Sequence, residues 1–217
     1  MNSATRIYDI IEKLSNNQNN NMMNAYKAIF KTENEIEVYK ALILLDTEIK
    51  DVIYIFSYMD GGNSHESQFI KATLPQLTAY NQLPNSVTSL LPNFMKAKYM
   101  LYAVSKMYYE QNDITEHLAS IQDDLEHFLK SILDLDISET EKMLYTKITL
   151  QLKESIYFYS ITGTKGLNIP LKAFGCITKE TPEGKSIFEK ISGFIGTASD
   201  GLAISEAISE AVTKLLS

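Results

Sequence analysis

From Val87 to Leu135 the chain carries two consecutive apolar seams at alternating three- and four-residue spacing. The first is Val87, Leu90, Phe94, Ala97, Leu101, Val104 and Tyr108; the second is Ile114, Leu118, Ile121, Leu125, Phe128, Ile132 and Leu135. That spacing is the stripe of an α-helix burying one face. Only residues 109–113 separate the two seams, too few for anything but a tight reversal, so they are expected to face each other as an antiparallel helical hairpin. Met95, Tyr99, Tyr102, Lys106 and Tyr109 form a second stripe on the first helix, which predicts that this helix is covered on two sides.

Elsewhere the same period recurs. Ser3 to Ser15 reads as a short amphipathic helix, and the Asn/Gln tract 16–21 behind it as a flexible joint, since these side chains compete for backbone hydrogen bonds. Thr32 and Glu35 have the spacing of a capping box before Val38, Leu42, Leu45, Ile49, Val52, Phe56 and Met59, one long helix over about residues 33–59. It is stopped by Asp60-Gly61-Gly62-Asn63. A further helix in residues 64–80 is kinked by Pro75 or confined to the part before Leu74. The uncharged, proline-punctuated run from Ala72 to Met95 reads as a crossing connection that lines a groove, or equally as a buried connector. Ser138 with Glu141 starts another helix through Leu144, Ile148, Leu152 and Ile156 to about Ile161.

After Thr162, glycines 163, 166 and 175 and Pro170 break the helical period, so residues 167–178 are expected to be loop or a short strand pair. Thr181-Pro182-Glu183 then opens a helix with Ile187, Ile191, Phe194 and Ile195 inward. A last helix from Ser199 or Asp200 carries Ile204, Ile208, Ala211 and Leu215 on one face. The expected fold is therefore all-α: an antiparallel bundle of four to five long helices over residues 1–161. Residues 162–217 add an irregular Gly/Pro-containing connector and a C-terminal helical pair packed on the same bundle.

Charge narrows the function. Residues 110–142 hold ten carboxylates against Lys130 and Lys142, in a chain of 217 residues whose whole net charge is −7. The acidity thus sits on one hairpin arm and its exit. Arg6 is the sole arginine and the lysines form no dense run, which argues against nucleic-acid binding. One cysteine, Cys176, allows no internal disulfide, and the polar start shows no signal peptide, so a reducing cytoplasm is the expected setting.

Few residues suggest chemistry. Asp124 and His127, three apart on a helix, with His117 one step off the seam, have the look of one half of a carboxylate-histidine metal site. The motif occurs once where such a site needs it twice, so no cofactor is expected. Residues 134–145 fail as a calcium loop, with Glu139 where glycine is needed and Tyr145 where a bidentate glutamate is needed. Gly184-Lys185-Ser186 lacks the earlier glycine of a phosphate loop, because Lys179 stands there, and reads as a helix start. Cys176, among Phe174, Ile177 and glycine, reads as a small core residue rather than a nucleophile.

The leading expectation is a non-enzymatic interaction module of inhibitor, immunity or adaptor type. It would bind a basic protein surface, or a second copy, through an acidic helical face: Asp113, Glu116, Asp123, Asp124 and Glu126, with Tyr99, Tyr102 and Tyr109 as contact residues. One alternative is a metal-dependent bundle enzyme using His117, Asp124 and His127, with Glu154. Another is a membrane-associating protein acting through Gly184 to Ser217, disfavoured because the last helix carries Glu206 and Glu210 against only Lys214.

Overall fold

The structure is a computed structural model, and it describes residues 2–59, 62–105, 115–178 and 181–198. Those residues are helical throughout apart from turns and one isolated bridge between Asn21 and Ser86. The chain divides into two compact units, Met1–Glu110 and Gln111–Ser217.

In the first unit lie α1 (Ser3–Ser15), α2 (Met22–Phe30), α3 (Glu35–Met59), α4 (His65–Thr73) and α5 (Val87–Ser105). Short 3-10 turns at Leu74–Leu77 and Tyr80–Gln82 lead from α4 to α5. Pro75 stands in the first of these turns, so α4 ends before Leu74 as its sequence requires. α1 and α5 run antiparallel. The Asn2 amide donates to Ser105 C=O at 3.2 Å, the Glu12 carboxylate holds Lys98, and the Thr88 hydroxyl donates to Gln18 C=O at 2.7 Å. Lys98 is buried, with its ammonium 4.7 Å above the Tyr8 ring, and the Glu12 carboxylate holds its pKa above the ordinary lysine value.

α1 also meets α3. There the Arg6 guanidinium pairs with the Glu48 carboxylate inside the unit, and the Ser3 hydroxyl donates to the same oxygen at 2.6 Å. The only arginine of the chain is thus spent on a buried contact. Tyr26 of α2 is likewise enclosed, donating to Leu77 C=O at 2.5 Å, and burial pushes its hydroxyl pKa far up.

Three expectations change in this unit. The Asn/Gln tract is pinned rather than a loose joint: Met22 N–H donates to Asn85 C=O at 2.9 Å and Val87 N–H to Asn20 C=O at 3.0 Å. Two irregular segments satisfy each other's backbone groups there, and α2 starts from the Asn21 side chain, which accepts from Asn24 N–H at 2.8 Å. The Thr32–Glu35 box does not form, because Asn34 lies nearer the helix. Its side chain accepts from Ile36 N–H at 2.9 Å, while Glu35 takes Lys27 at 3.2 Å. The second stripe of α5 is not covered on its described part, since Tyr99 is 72% and Tyr102 52% exposed.

The second unit contains α6 (Thr115–Ser131) with a 3-10 extension at Ile132–Asp134, α7 (Glu139–Tyr157), α8 (Tyr159–Ile177) and α9 (Pro182–Ala198). The Ser138–Glu141 capping box is present, with Ser138 N–H on Glu141 Oε2 at 2.9 Å. One core joins Leu118, Ile121, Leu125, Phe128 and Ile132 of the second seam to Leu152 and Ile156 of α7, Leu167, Leu171 and Phe174 of α8, and Ile187 and Ile191 of α9. The first seam is covered within its own unit, where Phe94, Ala97, Leu101 and Val104 are buried and α5 packs on α1 and α4. Each seam thus closes with helices of its own unit. Residues on both sides of position 161, from Leu118 to Ile191, share the second core.

The segment expected as loop or strands is α8. Its helical course is interrupted at Gly163, whose φ of 59° and ψ of −157° lie in a region that L side chains avoid, and this break separates α7 from the body of α8. Gly184 serves a different end. A Cβ there would stand 2.6 Å from the side chain of Thr178, so α9 can start hard against the end of α8 only with glycine in place. Cys176 is exposed rather than in the core. The last helix expected from residue 199 onward lies outside the described residues.

Gly163→Ala is expected to lower the unfolding free energy by about 1–3 kcal/mol, the usual range for a side chain forced into such a conformation. Urea denaturation of the variant against wild type measures it, and an unchanged midpoint would mean that the α7–α8 junction relaxes at no cost.

Candidate functional site

α6 places its polar residues along two edges of its buried seam. Positions 117, 124 and 131, seven residues apart, fall on one edge and all three meet α9, which runs antiparallel to α6. The His117 ring stacks on Phe194 with centroids 4.4 Å apart, Asp124 Oδ2 takes Lys190 Nζ at 2.6 Å, and the Ser131 hydroxyl donates to Glu183 at 2.9 Å. On the other edge, Glu126 Oε1 takes Lys153 Nζ of α7 at 2.6 Å.

These contacts account for most of the suspected metal ligands. His117 and Asp124 are flank residues of a helix–helix seam, each with its own partner, and His127 is exposed beside Glu126. Among the described residues no three His, Cys, Asp or Glu side chains come together as a metal-holding group. Glu154 is exposed on α7.

The acidic face is only partly available as charge. Asp123 is exposed, whereas Asp124 is half-buried under Lys190, and Glu126, though exposed, is paired with Lys153. Glu116 lies in α6, its side chain outside the described residues, and Asp113 and Tyr109 are also outside them. Tyr99 and Tyr102 stand exposed on α5, in the first unit, with the Tyr102 ring 6.0 Å from Tyr8. The structure therefore assigns the carboxylates and the tyrosines of the expected surface to different units.

The Lys153 ammonium, by hydrogen bond and by charge, holds the Glu126 carboxyl below the usual glutamate range. A depressed carboxyl pKa contributes stability that is present above the unfolded value, about 4.3, and is lost as pH falls through the lower folded value. An NMR titration should place the Glu126 midpoint below that value in wild type and return it in Lys153→Met. The same midpoint in both proteins would show that the pair does not persist in solution.

A feature not anticipated from sequence lies on α7. Leu133 at the end of α6 and Met143 and Leu150 on α7 are 71%, 74% and 50% exposed, and they line a shallow groove with Thr146, Lys147 and Glu154. Leu144, expected inward, is also exposed, and the burial of α7 begins at Thr149 and Leu152. The signal was present in the sequence as a surplus: α7 holds more large apolar residues than one stripe can bury. No protein-family model, curated protein or solved structure matches this chain.

Proposed function

We propose that this protein is a non-enzymatic interaction module, of the inhibitor, immunity or adaptor kind, whose contact surface is the outer face of α7 and the adjoining carboxylates of α6. The observation that carries this reading is the exposed strip of Leu133, Met143 and Leu150. Large exposed apolar side chains, Met143 and Leu150 two turns apart on α7 and Leu133 in the 3-10 extension of α6, suit a protein contact better than solvent. The exposed Asp123 carboxylate and the net charge of −7 favour a partner with a basic surface, which long-range attraction steers toward the protein. A second copy of the chain is the other admissible partner.

No observation favours the metal-dependent enzyme, since a cation at Asp124 would have to displace Lys190. For membrane action, no helix among the described residues is long and apolar enough to cross a bilayer, and residues 199–217 lie outside the description.

Native mass spectrometry of the untagged protein from its own host is expected to show a stoichiometric protein partner or a homo-oligomer. Met143→Asp combined with Leu150→Asp should reduce that occupancy at least tenfold, about 1.4 kcal/mol, with circular dichroism unchanged. A metal retained by wild type and lost in His117→Ala or Asp124→Ala would overturn the reading. So would a partner whose binding ignores the α7 substitutions.

A further inference from the structure

We draw no further inference here: the strongest candidate, the solvent-facing row of Ile36, Ile43, Tyr54 and Tyr58 along α3 in the first unit, is an exposed apolar face, and nothing in the structure shows what covers it.

Discussion

Glu48→Ala is expected to lower the stability of the first unit by about 3–5 kcal/mol, because it breaks a buried ion pair by removing the carboxylate that the Arg6 guanidinium meets. Arg6 and Glu48 are both buried between α1 and α3, and the Ser3 hydroxyl completes the carboxylate's shell. Removing the carboxylate takes from a buried guanidinium the Glu48 charge it is paired with, which costs more than the intact pair contributes. The double replacement Arg6→Met with Glu48→Leu separates these effects: it fills similar volume with no charge, and it should recover most of the loss. Chemical denaturation of the three proteins gives the comparison. Equal losses in the single and double variants would show that packing at the α1–α3 contact, not the broken charge pair, sets the cost.

Phe128→Ala is expected to cost a similar amount, about 3–5 kcal/mol, by a different route. Phe128 lies at the centre of the second core, with its ring set edge-on to Phe174 at 5.5 Å and 76°. Truncation removes the buried ring area and leaves a cavity that α7, α8 and α9 cannot close without losing their own contacts. Faster amide exchange in α6 and α8 would report the loss. Leu129, next in sequence and only partly buried, is the control, and Leu129→Ala should cost well under half as much. If the two variants were equally destabilised, the core would not be centred where Phe128 meets Phe174.

How much of this could be read beforehand depends on the range of the interaction involved. α1 was legible to the residue, and α7 began where Ser138 and Glu141 placed it, because capping is settled within four residues. α4 ended at Pro75 for an equally local reason. α8 was misread because glycine is ambiguous: at Gly163 it breaks the helix, whereas at Gly184 it only makes room for a neighbour. Telling these uses apart requires knowing what lies opposite. The same holds for Cys176, which stays exposed while Phe174 and Ile177 on either side pack into or against the second core.

The candidate site was legible in its composition but not in its arrangement. Asp123, Asp124, Glu126, His117 and His127 were visible as a polar helix edge, yet Lys190 and Lys153, which take up Asp124 and Glu126, come from helices far along the chain. The exposed strip escaped notice because Met143 and Leu150 fall outside the stripe of Leu144, Ile148, Leu152 and Ile156 that marks α7 in the sequence.

By itself the sequence determined that this protein is helical and where several of its helices begin, α1, α7 and α9 among them. Those choices rest on a 3.6-residue period, on caps and on prolines, all of which act within a turn or two. Only the tertiary structure decided which seam closes against which helix, which lysine neutralises which carboxylate, and that the chain divides between Glu110 and Gln111. An apolar stripe specifies that a face will be buried and says nothing of the partner, because hydrophobic contact is non-directional and is satisfied by any surface of matching shape.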